Sequence, residues 1–548
     1  MKKCLYQIAL LLFLFHVSVA QNVQDGVKVS TQSGKTGFTV NSQGELEVNV
    51  APRDLKKFKA RQYVSYKDLG AKGDGKTDDI YAIAATHAVA NMLRIPVKLD
   101  GAGNYYIGGK KRTAFIRTDT DFGTSHFIID DREVEDRNAA VFVVLSDKKP
   151  FVPDGITSLK KNQSKINGTF PGTCLITVTN SNVKHYIRFG PNQDKGASQT
   201  DIFVVDKDGN VDMNAPIIWD FDQITKIEAL PIDEDTLYIT GGEFTTIANQ
   251  AESRYTYYSR NITIRRSNVI VDRLVHHITG EGEQGAPYGG FLNIQNCAYV
   301  TVRNTVLTGH KTYRTIGSAG VPVSMGSYDI SAGSSVSVSF INCKQTNDIN
   351  DRTYWGILGS NYCKNMVYDN CEFSRFDAHK GVANATIRNS KLGHMGINAI
   401  GSGTLLVENS TIYGNSMVNL RSDYGSTWQG EFILRNCTFV PNNGRPTTPY
   451  LIGGSYSGQH DFGYTCYMPE KITVENLTID DSNHPEGYGG PFVLAHFNAD
   501  YKDASYQEKY PYVKTKEVIL RNVKTKSGKP VRLSSNMVMF RDVKMVVE

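Results

Sequence analysis

Eight times in the second half of the chain, a short alternation of apolar and polar residues ends in an asparagine, most often followed by Cys, Ser or Thr. The runs are Val300–Asn304, Ser339–Cys343, Met366–Cys371, Ala385–Ser390, Leu405–Ser410, Phe432–Cys437, Ile472–Asn476 and Val518–Asn522. Alternation with period two predicts strands with one apolar face turned inward. Successive asparagines are 38, 28, 19, 20, 27, 40 and 46 residues apart. The shortest spacings match one coil of a parallel β-helix, and the longer ones read as coils carrying inserted loops. A β-propeller, with blades of about 40 residues, does not accommodate the short spacings. Asparagine tolerates the left-handed backbone conformation, so it suits a coil corner where its side chain bonds to the next asparagine. Cys343, Cys371 and Cys437 then fall on an inward ladder and act as small hydrophobes.

The first half opens differently. In Gly70-Ala-Lys-Gly-Asp-Gly-Lys-Thr-Asp-Asp79, acidic residues precede the apolar stretch from Ile80 to Ala90. That is a helix start with carboxylates at the positive end of the dipole, and it predicts a capping helix near residues 78–92. Strand, turn and strand follow over Ile95–Ile107. Between about 150 and 240 the rhythm breaks, with a tight turn at Asp206–Asn210 and short strands at Ile224–Glu228 and Leu237–Thr240, predicting a small β insertion in an early coil. The expected organisation is a signal segment at 1–20, a polar lead-in at 21–62 and a single all-β parallel β-helix over 63–548.

The 548 residues are 21% charged and 40% hydrophobic, which excludes a disordered chain, a coiled coil or a collagen-like fibre. A net charge of +5 without any Lys/Arg-rich block argues against nucleic acid as a partner. Lys2 and Lys3, the apolar run Ile8–Phe15 and the small residues ending at Ala20 read as a cleaved secretory signal. The run is shorter than the ~20 residues of a membrane span. A soluble, monomeric protein, periplasmic or secreted from a Gram-negative cell, is expected. Cleavage leaves seven cysteines, an odd number with no Cys-x-x-Cys pair, which speaks against a zinc site or a dense disulfide framework.

Ionisable residues crowd between positions 348 and 428. Asp348, Arg352, Tyr354 and Trp355 come from one coil, and Asp377, His379 and Lys380 from the next. Asn398 follows, and then Asn419, Arg421, Asp423, Tyr424 and Trp428. His379, Asn398 and Asn419 are 19 and 21 residues apart, which predicts a stack. Period two puts Asp377 beside His379, and Asn419 beside Arg421. The expected catalytic set is Asp377, His379, Arg421, Tyr424 and Lys380. The expected substrate-binding set is Asp348, Arg352, Trp355, Asn398, Asn419 and Trp428. A carboxylate beside an imidazole orients a base, an arginine grips a carboxylate and aromatic rings cover sugar faces. His276 and His277, near Glu281, Glu283 and the Gly285–Gly290 loop, form a second, weaker candidate whose loop would cover a cleft. No cofactor is fixed by these residues. Calcium is the metal that Asp74, Asp78 and Asp79 could hold, although turn and capping roles are the stronger reading for them.

The Gly70–Asp79 string resembles the opening segment of the pectate-lyase-like superfamily of right-handed parallel β-helix proteins, where it leads into a helix capping the coil. That resemblance implies the fold and a carbohydrate-active protein, with lyases, hydrolases and epimerases all among its chemistries. Asp377-Ala378-His379 also resembles the Asp-Pro-His motif of β-helical mannuronan C5-epimerases, although Ala378, Lys380 and Ser374 depart from that pattern. The expected function is a lyase acting by β-elimination on an acidic, uronate-containing polysaccharide, with Arg421 neutralising the carboxylate, His379 as base and Tyr424 or Lys380 as proton donor. The alternatives are an epimerase, a non-catalytic carbohydrate-binding β-helix, and a glycoside hydrolase pairing Asp377 with Asp348 or Asp423.

Overall fold

The computed structural model describes residues 30–548 apart from 32–33, 36, 43, 253–254, 442–445 and 457–460. The expected signal segment therefore lies outside the described residues. Twenty-nine strands join in one sheet, wound into the expected parallel β-helix. One column shows how alternation builds it. Leu237, Val269, Val300, Val338, Met366, Ala385, Leu405, Phe432, Ile472 and Val518 pair in register from coil to coil. Every one of them is buried in the common core. At about 1.5–3 kcal/mol for each fully buried large aliphatic side chain, such columns dominate the stability of the coil.

All eight anchor asparagines are left-handed, with φ between 49° and 54°. Their amides climb the corner. Asn342 Nδ2 donates to Asn304 Oδ1 at 2.6 Å, Asn370 to Asn342 at 3.2 Å, Asn476 to Asn436 at 2.8 Å and Asn522 to Asn476 at 2.8 Å. At one step Asn389 donates to Asp369 instead of Asn370. Cys343, Cys371 and Cys437 are buried free thiols, and the Cys371 N–H donates to Ser390, which continues the same inner line.

The capping helix falls where the pattern places it. Instead of a lead-in alone, the elements that precede it include a hairpin (Gly37–Val40 with Leu46–Asn49) and a helix, α1 (Pro52–Arg61), whose Phe58 is buried. The cap itself, α2 (Ile80–Leu93), is apolar nearly all round because it is covered on both sides, by the coil and by strand Leu46–Asn49. Asp74, Asp78 and Asp79 accept backbone N–H groups of Lys76, Thr77, Ile80, Lys72 and Gly73, as turn and cap residues do. Among the described residues no cluster of three His, Cys, Asp or Glu is arranged to hold a metal ion.

The insertion is a three-stranded antiparallel sheet, Cys174–His185 flanked by Ala197–Val205 and Lys226–Pro231, with its own core around Phe170, Ile176, Phe203 and Phe221. It ends earlier than the sequence pattern suggests. Leu237–Thr240 belongs to strand Leu237–Ile247 of the coil, not to the insertion. Leu175, Ile202 and Val204 pack on Ala298 and Val336 of the helix. A buried ion pair, Lys364 Nζ to Asp201 at 2.7 Å, pins the junction.

Candidate active site

Outward-facing residues of consecutive coils line a cleft of about 530 Å³. Its floor is a strand-paired column in which Ser331 sits over Gly359 and Asp377 over Asn398 over Asn419. The expected stack of His379 on Asn398 is therefore shifted by one alternation. Asp377 occupies that place, because a bulge between Phe373 and Arg375 resets the register. His379 shares the outer face with Asp377, two residues further along the strand.

Asp377 is 0% exposed. Its carboxylate receives Arg375 Nη2 at 2.7 Å and Arg421 Nη1 at 3.4 Å, together with the Tyr328 hydroxyl. Burial alone would raise its pKa, but Arg375 and Arg421 outweigh burial and hold it at about 2. His379 Nδ1 lies 3.0 Å from Asn361 Oδ1, which places the ring proton on Nδ1 and leaves Nε2 as the acceptor. Burial, and then the Arg421 charge, push the imidazole down to about 3, with Asp377 pulling the other way.

Arg421 is fully engaged. Nε and Nη2 fork onto Asp423 at 3.1 and 2.8 Å, and Nη1 faces Asp377. Arg188, from the loop joining Cys174–His185 to Ala197–Val205 within the insertion, adds a 2.7 Å bond to Asp423, and the Phe189 N–H donates to the Asp423 carbonyl. Burial raises the Asp423 pKa, yet Arg421 and Arg188 overcome it and keep the carboxyl below its usual range. The insertion thus supplies one wall of the cleft.

The structure brings together Asp377, His379, Arg421, Asn398, Asn419 and Trp355 from the expected set. Five other placements differ. Trp428 is 0% exposed, donates from Nε1 to Gly403 O and belongs to the core, not to a rim. Tyr424 is buried beneath the guanidinium groups of Arg188 and Arg421, edge-on to His379, so its hydroxyl does not line the cleft. Lys380 turns to Asp194 of the insertion, 3.9 Å away. Asp348 and Arg352 are exposed on an outer loop away from the cleft lining.

Five contributors escaped the sequence reading: Tyr328, Asn361, Arg375, Arg188 and Asn192. Arg375 carried a signal, since period two from Asp377 and His379 places it on the same face. The other four come from separate coils or from the insertion, where spacing gives no register.

The second candidate is a buried network. His276 stacks on Phe291 at 3.7 Å and bonds Asp329 at 2.8 Å, while His310 bridges Asp329 at 3.1 Å and Glu281 at 3.4 Å. From the neighbouring Gly-rich loop, Tyr288 and Gly289 do reach the cleft. Against burial, Asp329 and Glu281 lift His310 to about 9. A raised folded-state value means the protonated ring stabilises the fold fully below about 6.5 and loses that contribution as the pH climbs through 9. Thermal stability should therefore fall between pH 7 and 10, and His310→Gln should be less stable at pH 6 and flatter across that window. Parallel melting curves for the two proteins would refute this.

A parallel β-helix carrying a basic cleft with one histidine on its flank defines the class of the molecule. No family model matches the chain. Among solved structures, the tailspike gp61 of Pseudomonas phage phi297 superposes with a TM-score of 0.52 at 12% identity, covering 84% of this chain and 80% of that one. The tailspike protein gp49 of Pseudomonas phage LKA1 gives 0.50 at 12% identity, covering 86% and 82%. A capsule KL64-specific depolymerase of Klebsiella phage P510 is 28% identical over 98 residues, 16% of this chain. The match spans 10% of that relative's length. The structural likenesses establish the shared β-helix fold.

Proposed function

We propose that the protein is an exported polysaccharide lyase that cleaves a uronate-containing chain by β-elimination. The observation that carries this reading is the make-up of the cleft among the described residues: one histidine, held at Nδ1 by Asn361, and two carboxylates, each bonded to arginines that favour the ionised form. A glycoside hydrolase needs one carboxylic acid kept protonated to serve the leaving group. Neither Asp377 nor Asp423 meets that need, and no other carboxylate lines the cleft among the described residues. Elimination needs a base instead, which His379 supplies.

In this mechanism His379 Nε2 takes the C5 proton, the electron pair forms the new double bond and the C4–O4 bond breaks. The protonated His379 then returns that proton to O4, since the one proton of the Tyr328 hydroxyl is committed to Asp377. His379 thus takes the place of Tyr424 and Lys380 as donor. Asp377 and Arg421 fix the field around the imidazole. A bound carboxylate offsets the Arg421 and Arg188 charges, the lesser causes of the low His379 value, and so raises the basicity of the ring in part. The matches to a capsule depolymerase and to tailspikes agree with a polysaccharide as the ligand. Export rests on the leader-like residues 1–20. Among the described residues no helix is long and apolar enough to cross a membrane.

Incubation with a panel of uronate polysaccharides tests the reading. A lyase generates ultraviolet-absorbing unsaturated ends, a hydrolase reducing ends without that absorbance, and a binding module neither. A pH profile tests the base. Because kcat/KM reports the free protein, its acid limb should lie well below the ordinary histidine value of about 6.5, toward the His379 value of about 3. The limb of kcat should sit higher, since it reports the complex. An acid limb of kcat/KM at or above 6.5 would contradict the assignment.

A further inference from the structure

The cleft holds one cation more than it can neutralise. Arg188, Arg375 and Arg421 face Asp377 and Asp423, and no other Lys, Arg, Asp or Glu lines it among the described residues. The excess is localised. Arg188 is bonded to Asp423, and all three nitrogens of Arg421 are committed to Asp423 and Asp377. Arg375 is different. It is 4% exposed and spends Nη2 on Asp377, while its Nε and Nη1 are buried with no hydrogen-bond partner. The indole Nε1 of Trp355, whose ring lies 5.1 Å from the Arg375 guanidinium, is likewise buried without an acceptor.

Leaving a buried donor unsatisfied costs about 1–3 kcal/mol, and more when the group is charged. Two such nitrogens on one arginine and a third on its neighbour form a set of donors awaiting an acceptor. The surroundings fix their position. The Arg375 guanidinium lies against two rings, 5.5 Å from that of Tyr328 and 5.1 Å from that of Trp355. A Cβ on Gly356 would fall 2.3 Å from Arg375 Cδ, and one on Gly326 would fall 2.2 Å from Trp355 Cβ. Both glycines keep room for this arrangement.

We infer that Arg375, assisted by the Trp355 indole N–H, is the receptor for a carboxylate on the bound glycan, and that Arg421 is a positioning residue which never contacts substrate. This deepens the lyase reading and rests on the same cleft. A planar carboxylate is the acceptor a guanidinium fork matches best. It also supplies the one negative charge the cleft lacks.

The experiment uses calorimetric titration of uronate oligosaccharides, and of the same oligosaccharides after carboxyl reduction, into the His379→Ala protein, where turnover cannot interfere. The acidic ligand should bind at least tenfold tighter than its neutral counterpart. Adding Arg375→Gln should erase that preference and leave neutral binding within about threefold, with Arg375→Lys intermediate because it keeps the charge and loses the fork. Adding Trp355→Phe should weaken the acidic ligand selectively. Adding Arg421→Lys should retain the preference. The inference is overturned if the Arg375→Gln protein still prefers the acid, if Arg421→Lys loses the preference instead, or if acidic and neutral ligands bind alike or not at all. Failure of the lyase reading is separate: acid-selective binding that depends on Arg375, with no unsaturated product from the wild-type protein, removes the elimination and leaves the receptor standing.

Discussion

His379→Ala should lower turnover by about 10²–10⁴-fold, the usual worth of a positioned acid or base, without unfolding the protein. The side chain makes one hydrogen bond, to Asn361, and stands edge-on to Tyr424. Its removal costs the fold about the value of one such bond, ~1 kcal/mol. The loss should therefore appear in kcat with circular dichroism and melting nearly unchanged, and added imidazole should restore part of the rate. Asn361→Ala, which frees the ring to rotate, should lie between the two proteins. His276→Ala makes the opposite comparison. That ring is stacked on Phe291 and tied to Asp329 inside the coil, so its loss should lower stability more than it lowers chemistry. Full activity in His379→Ala would move the site elsewhere.

Asp377→Asn should cost about 3–5 kcal/mol of stability, the penalty for breaking a buried ion pair from one side. Three donors converge on the carboxylate: Arg375, Arg421 and the Tyr328 hydroxyl. An amide can accept from some of them, but its own N–H₂ must then point at another donor, and two guanidinium groups lose their shared counter-ion. The sequence alone suggests a milder outcome, with the histidine merely misoriented. Complete burial of Asp377 changes that, because no water can take over the missing contacts. Urea unfolding midpoints of the two proteins decide the matter. Asp423→Asn serves as the gentler control, since Asp423 keeps about a quarter of its side chain exposed. Equal midpoints for Asp377→Asn and wild type would show that the carboxylate does not hold the arginines together.

The inward placement of Trp428 follows from strand parity. Phe432 and Leu434 are inward residues of the strand Trp428–Pro441, so period two counts back to an inward position 428. Residue type alone suggests a sugar-stacking rim, and parity overrides it. Arg375 is the converse case, since parity with Asp377 and His379 places it outward while its neighbour Phe376 is in the core. Tyr424 had no comparable signal. It sits in a short turn, Ser422–Tyr424, where alternation ends.

What the sequence determined by itself is the local and periodic part: the coil, its inward columns, the left-handed asparagine corners, the inward thiols and the capping helix. Each follows from contacts repeated at a fixed spacing, or from the conformational tolerance of a single residue type. What only the tertiary structure decided is the site's membership and charge state. The bulge before Arg375 put Asp377 rather than His379 over Asn398. The docking of the insertion through Lys364 and Asp201 carried Arg188 to Asp423. Burial then sorted equivalent-looking arginines into Arg421, whose nitrogens are all spent, and Arg375, which keeps two unpaired. These outcomes depend on long-range packing and on how much water remains around each group, and neither is encoded in the spacing of residues along the chain.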